Sequence, residues 1–278
     1  MLQPERLKMA EPPGLSGKIK HFSVNKANTY RKCPRQFYYK YIEELPTKNN
    51  GYFVLGSAAD RALEVAIKQL NTIGSYDMEI VHEAFTNHML DDLRDSPELS
   101  EEDIQIITEG AEILHSSIDE YLFWLDGRYP EIVGTQIKIE NWYPDERLNY
   151  PVLGFIDMLV IDDNGKYMVV DHKTKKDARV SPDYRMQLLT YCMWVKETYN
   201  LRYMPKAELH VLLKQQQRKD PSLFRIKEVP FSSNEISSVK EAFFLVEEGI
   251  SKEFYPPNRW HELCSSRWCD FFEVCHNS

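Results

Sequence analysis

The amino-acid sequence predicts an α/β fold, a central mixed sheet flanked by helices, with a helical N-terminal region before it and a Cys-rich tail after it. Three observations carry this. A capping box at Ser100 and Asp103 opens a long helix, whose apolar stripe runs Ile104, Ile107, Ala111, Leu114, Ile118, Tyr121, Leu125 at helical spacing. The pattern then changes to strands at about 132–140, 151–161 and 166–173. A helix at about 183–198 and strands near 206–214 and 223–229 follow, so helices and strands interleave.

The remaining elements fall in around that core. Residues 23–33 read as a short helix capped by Ser23. An aromatic run (Phe37, Tyr38, Tyr39, Tyr41) continues through 35–45, and a helix spans about 54–73. Residues 76–99 are acidic and read as helix mixed with loop. Ser181-Pro182 starts the 183–198 helix, and a helix at about 233–250 precedes the tail. Residues 1–20 lack the apolar segment of a signal peptide and read as a flexible lead-in, with Met9 as an alternative start. Residues 21–278 read as one domain, with a helical part at about 54–127, a sheet core at about 131–230 and a tail at about 251–276.

With 42% hydrophobic and 28% charged residues, the 278-residue chain has an ordinary globular composition. No apolar stretch approaches the roughly 20 residues of a membrane span, so no membrane partner is expected. The net charge of −9 is unevenly spread. Ten acids stand against Arg94 alone in 77–104, whereas 18–48 carries eight bases against Glu43 and Glu44. A local basic field suits an anionic partner despite the acidic total; a solvated face is the plainer alternative. The five cysteines, an odd count, argue against a disulfide framework and for a reducing compartment, the cytoplasm (or a host's, if the chain is phage-encoded).

The strands at 151–161 and 166–173 are joined by Asp162-Asp163-Asn164-Gly165. A two-residue Asn-Gly turn would set Asp157 opposite His172, pointing away from Asp171 and Lys173. A three-residue loop with Gly165 left-handed pairs Asp162 with Lys166 and sets Asp157 opposite Asp171. The second is expected, because charges scattered over both faces of an apolar hairpin would be hard to satisfy. One face then carries Asp157, Asp171 and Lys173. Facing carboxylates repel unless a cation lies between them, and Mg²⁺ or Mn²⁺ takes such oxygen ligands. The lysine can orient or deprotonate a water and offset charge as a phosphodiester is attacked. A structural Asp171–Lys173 ion pair is the competing explanation. His172, on the other face, reads as a packed core histidine, and Cys192 as core.

In "GFIDMLVIDDNGKYMVVDHKT" these residues resemble the catalytic hairpin of the PD-(D/E)XK nucleases, RecB-like branch. The resemblance implies a restriction-endonuclease-like core in which Asp157 and Asp171 hold Mg²⁺ or Mn²⁺ and Lys173 serves the hydrolytic water. "QLLTY" resembles the branch's Gln-x-x-x-Tyr motif, placing Gln187 and Tyr191 at the active site on one helix face. "GSAADRALE" resembles a helix motif whose metal-binding histidine is replaced here by Asp60, an oxygen ligand for a hard metal. Glu64 is expected to pair with Lys68 on the surface. The brackets "YRKCPRQFYYKYI" and "FYPPNRWHELCSSRWCDFFEVC" resemble the iron–sulfur members, a group that includes the CRISPR spacer-acquisition nuclease, the AddB nuclease domain and phage exonucleases. They imply a structural [4Fe–4S] cluster on Cys33, Cys264, Cys269 and Cys275. Here the first late spacing is C-x₄-C, wider than that group's C-x₂-C. Zinc, with His276 or His261 available, is the alternative metal.

Aromatic and basic residues interleave at 30–41, which suits single-stranded nucleic acid, with Arg31, Lys32 and Arg35 following phosphates. Packing of those rings around the cluster and core competes with this. Lys175, Lys176 and Arg179 follow the catalytic strand and could hold the scissile backbone. The expected activity is a metal-dependent DNA exonuclease in recombination, repair or phage DNA processing, acting on single-stranded DNA or free ends. A CRISPR spacer-acquisition nuclease and a non-cleaving DNA-binding subunit are the alternatives. A homo-oligomer, or a recombination or CRISPR partner protein, stays open.

Overall fold

The computed structural model describes residues 19–215 and 220–277. Nearly all of the expected lead-in lies outside the described residues; Ile19, at its end, is buried. The chain forms two compact units, one of residues 48–139 and 154–232, the other of residues up to 47, 140–153 and 233 onward.

The larger unit is built on a sheet of order β1-β2-β3-β4-β5, comprising Glu131–Trp142, Val152–Ile161, Tyr167–Lys175, Lys206–Leu213 and Phe224–Glu228. Strands β2 and β3 are antiparallel, β3 and β4 parallel, β4 and β5 antiparallel, so the sheet is mixed as expected. It is flanked by α3 (Gly51–Ile73), α4 (Met78–Asp95), α5 (Glu101–Leu125) and α6 (Pro182–Thr198), numbered after two short helices described below. Helix α3 starts earlier than its apolar pattern suggests, because the Asn50 side chain caps it by accepting from the Phe53 N–H. The acidic stretch expected to be partly irregular is a continuous α4 capped by Asp77. Val81 and Phe85 are fully buried in the core that α3 and α5 share, with Met78, Met89 and Leu93 of the same helix face packed against it, and this packing stabilises the helix along its length.

Helix α5 has the predicted capping box. Its stripe is core from Ile107 onward, while Ile104, in the first turn, is 46% exposed. The small residues Ala58, Ala59, Ala62 and Ala66 of α3 let the helices approach closely. At Gly110 an added Cβ would come within 2.4 Å of Leu55 Cδ1.

The smaller unit contains α1 (Val24–Lys32), α2 (Pro34–Phe37), a π-helical turn at Tyr38–Ile42, α7 (Ser233–Ser251) and α8 (Phe272–Asn277). Phe22, Phe37, Phe243 and Ile250 are fully buried in it. Glu247 is buried too, and its carboxylate accepts from Asn149 N at 2.9 Å, Asn149 Nδ2 at 2.6 Å and Tyr150 N at 3.3 Å. Those bonds offset its desolvation.

Candidate active site

The β2–β3 register is the three-residue loop. Met158 faces Val170 and Ile161 faces Tyr167, the Asp162 N–H donates to Lys166 O at 2.8 Å, and Gly165 has φ +68°. The Asp162 carboxylate accepts from the N–H groups of Asn164 and Lys166, which fixes the turn. Continued by one residue, this register sets Asp157 opposite Asp171.

Asp171 is fully buried, and neither of its oxygens has an aligned hydrogen-bond partner. Its Oδ2 meets only the Lys173 ammonium, at 2.7 Å. Lys173 also donates to His172 O at 2.9 Å. Asp157 Oδ2 accepts from the His172 N–H at 2.8 Å, and the Asp157 carbonyl accepts from Thr135 Oγ1 at 2.7 Å. One strand thus holds both carboxylates: its side chain at 171 supplies the second, and its backbone at 172 fixes the first.

The charges are unbalanced. Burial and then the neighbouring Asp171 push the Asp157 carboxyl up to about 8, with Lys173 and the His172 N–H only partly opposing. Asp60, on α3, is exposed as a residue, so water reaches it. Its carboxyl is nonetheless crowded by protein, and desolvation, with Asp171 adding and Lys173 opposing, lifts it to about 6. Burial pulls the Lys173 ammonium down, but Asp171, Asp157 and Asp60 together more than offset this and hold it charged. Three carboxyls therefore share one ammonium.

Helix α6 supplies the next shell. Gln187 Nε2 donates to Tyr191 Oη at 3.0 Å, and the Tyr191 ring packs against Gly154, where an added Cβ would meet it at 3.0 Å. Burial raises the Tyr191 phenol to about 12. Tyr184, which the motifs did not single out, sets its ring 5.7 Å from Lys173 Nζ and 4.7 Å from Lys175 Nζ. On the opposite face His172 is a core histidine, as expected. It shares Tyr121 Oη with His210 Nδ1 at 2.8 Å each, and His210 Nε2 lies 2.9 Å from Glu208. Cys192 is fully buried. Glu64 pairs with Lys68 at 2.5 Å and Arg61 at 3.0 Å, as expected, but it also lines a small cavity with Asp60 and Asp157 rather than standing wholly on the surface.

In the smaller unit the four named cysteines line one cavity together with His261 and His276. None of the five cysteines forms a disulfide. Cys33 Sγ accepts from the Asn258 N–H at 3.3 Å, and Cys264 Sγ stands 4.0 Å from His276 Nε2. Burial raises the Cys269 and Cys275 thiols, and Cys33 and Cys264 raise them further. Among the described residues, however, no three His, Cys, Asp or Glu side chains are already arranged to hold a metal ion. At either centre a metal would have to draw its ligands inward.

The candidate nucleic-acid residues divide. Arg31 is exposed and donates to Asn28 Oδ1, and the Lys32 carbonyl accepts from Asn258. Arg35 is engaged in structure: its Nε donates to Tyr255 O at 2.9 Å, and its guanidinium lies 5.9 Å from the Tyr38 and Tyr39 rings. Tyr30, Phe37 and Tyr39 are buried, so these rings pack rather than present faces to a base. Lys175 Nζ donates to Arg179 O at 2.5 Å, and Arg179 pairs with Asp177 at 2.9 Å. Lys176 lies 5.3 Å from the Tyr52 ring. Among the described residues no helix is long and apolar enough to cross a membrane.

A sequence profile of the PD-(D/E)XK nuclease superfamily matches residues 21–276. No curated protein sequence matches the chain. Among solved structures, a proposed exonuclease of Eubacterium rectale is 13% identical, with a TM-score of 0.55, over 98% of this chain and 94% of its own. The structure of SSO0001 is 17% identical, with a TM-score of 0.44, over 92% of this chain and 85% of its own. The first likeness shows the fold, a restriction-endonuclease-like mixed sheet flanked by helices.

Proposed function

The chain belongs to the PD-(D/E)XK nuclease superfamily, and from that premise we propose that it is a Mg²⁺- or Mn²⁺-dependent DNA exonuclease of the RecB-like branch, with residues 21–278 as its nuclease domain. The observation that supports this most is the hairpin face, where Asp157 and the buried Asp171, whose oxygens lack an aligned hydrogen bond, share one ammonium. An all-oxygen donor set with too little positive charge suits a hard divalent cation. Asp157, Asp171 and the water-accessible Asp60 would hold it. When bound, such a cation supplies a polarised phosphoryl oxygen and a water of lowered pKa.

The chain's own groups would do the rest. The carboxylates keep Lys173 charged, so its role is to orient the attacking water and offset charge on the phosphoryl oxygens, rather than to take a proton. Gln187, held by Tyr191, turns its remaining donor and acceptor capacity to the nucleotide. Nothing in this set reads a base edge, so little sequence specificity is expected.

The second part of the proposal is a structural [4Fe–4S] cluster on Cys33, Cys264, Cys269 and Cys275, zinc being the competing metal. Four thiols around one cavity are the required donor set. Such a cluster and free thiols belong in a reducing compartment such as the cytoplasm. Anaerobically purified protein should be brown with broad visible absorption; a colourless, zinc-containing preparation would overturn the iron–sulfur assignment. For the activity, linear and circular DNA, single- and double-stranded, should be compared with Mg²⁺ or Mn²⁺. Loss of linear substrates alone supports an exonuclease; cleavage of covalently closed circles would overturn that assignment.

A further inference from the structure

We infer that Lys214 and Lys176, organised around the ring of Tyr52, form a phosphate-holding subsite for a single DNA strand at the C-terminal ends of β3 and β4. The inference rests on the nuclease reading above.

Four observations carry it. Lys214 Nζ lies 3.7 Å from the Tyr52 ring centroid and Lys176 Nζ lies 5.3 Å from the same centroid. Two like charges are thus gathered on one aromatic ring, which holds them by cation–π attraction against their mutual repulsion. Among the described residues no carboxylate pairs with Lys214. Burial and then the Lys176 charge pull its ammonium down to about 8, as a cation missing its counter-ion should behave.

The backbone explains why these side chains meet. Strands β3 and β4 run parallel, with Lys175 opposite Leu213, and the Lys214 N–H donates to Lys175 O at 3.1 Å. The residues just past the two strand ends therefore emerge side by side. Ligands of open sheets gather at the carboxyl ends of parallel strands. Tyr52 is delivered by the first turn of α3. Finally, the cations are graded along the chain: Lys173 stands beside the carboxylates, Lys175 on the Tyr184 ring, and Lys176 and Lys214 on the Tyr52 ring. Lys214 touches substrate in this account, and Tyr52 is a positioning residue.

The test uses the full chain carrying Lys173→Ala, so that bound DNA is not cut, and a fluorescent single-stranded oligonucleotide titrated over a series of salt concentrations. Adding Lys214→Gln should weaken binding roughly three- to tenfold and reduce the slope of log K against log salt by about 0.7, the value for one phosphate on a single strand. Lys214→Arg should restore most of both. Tyr52→Leu should weaken binding without Lys214→Gln adding its full effect on top. Lys240→Gln, on α7, controls for net charge, and thermal midpoints check folding. Affinity and slope unchanged in Lys214→Gln, with the parent binding DNA normally, would overturn the subsite and leave the nuclease reading standing. A wild-type chain that neither cuts nor binds DNA would overturn that reading and the subsite with it.

Discussion

The carboxylate face of the larger unit and the cysteine cavity of the smaller one are assembled in opposite ways. Asp157, Asp171 and Lys173 lie on one hairpin, and a single register places them. Cys33 and the three late cysteines lie at opposite ends of the chain, and nothing local brings them together. Hydrogen bonds to the backbone of the tail do part of it: the Tyr30 side-chain Oη donates to Phe254 O at 2.5 Å, and the Arg35 backbone N–H donates to Pro256 O at 3.3 Å. The first centre is a rigid sheet that stores unbalanced charge; the second is loop and short helix that would gain order from a metal. The difference teaches that the first should be destabilising to the fold without its cation, and the second should be stabilising to the fold with its metal.

Substitutions can break that comparison. The largest expected effect is Asp157→Asn, which should cut metal-dependent cleavage by on the order of 10²–10³ or more while leaving any visible absorption of the cysteine centre unchanged. Loss of absorption as well, seen by ultraviolet–visible spectroscopy, would mean that the centres are not separable. Next, Cys33→Ala should release the metal of the tail and lower the thermal midpoint by on the order of 5–10 °C. A calorimetric midpoint equal to wild type would show that no metal clamps this unit.

The pH dependence follows from the carboxyls. Asp157 and Asp60 have folded pKa values raised to about 8 and about 6. A raised carboxyl contributes stability below its unfolded pKa, near 4, and that stability is lost as pH rises through the folded value. The metal-free protein should therefore become less stable between about pH 4 and pH 8, and Asp157→Asn should flatten the decline. Over the same window Mg²⁺ affinity should rise, by up to about tenfold per pH unit for each proton displaced. Calorimetry in buffers of different ionisation enthalpy would detect those protons, and a pH-independent affinity would contradict the charge account. The smallest effect separates two acids of α3. Asp60→Ala should weaken metal binding roughly 10- to 100-fold, whereas Glu64→Ala should change it little, because Lys68 and Arg61 already neutralise the Glu64 carboxylate.

Much of this was legible in the sequence where one period or one turn decided the outcome. The α5 stripe, the order of strands and helices, and the three-residue turn that sets Asp157 against Asp171 are of this kind. The continuous α4 was only partly legible: Met78, Val81, Phe85, Met89 and Leu93 recur at helical spacing, but the acids among them and the exposed Ile80 and Leu90 blur the stripe. The aromatic run at 30–41 looked like a stacking platform, yet Tyr30 and Phe37 are buried against each other and Tyr255, and Tyr39 against Phe271, partners more than two hundred residues away. Tyr184, Tyr52 and Lys214 left no motif, since only the crossing of α3, α6 and two parallel strand ends gathers them. The signal that could have found Lys214 is its place just past a buried parallel strand.

The most direct test of the central claim is a single-turnover assay on linear single-stranded DNA with Mn²⁺, comparing wild type with Lys173→Ala and Lys173→Gln. The account predicts cleavage by wild type and a loss on the order of a hundredfold or more in both variants, with Mn²⁺ affinity largely kept, because the lysine serves the water and the phosphate rather than the cation. Variants that cleave at the wild-type rate would place the chemistry somewhere other than the β2–β3 hairpin and leave the Asp171–Lys173 pair a structural salt bridge.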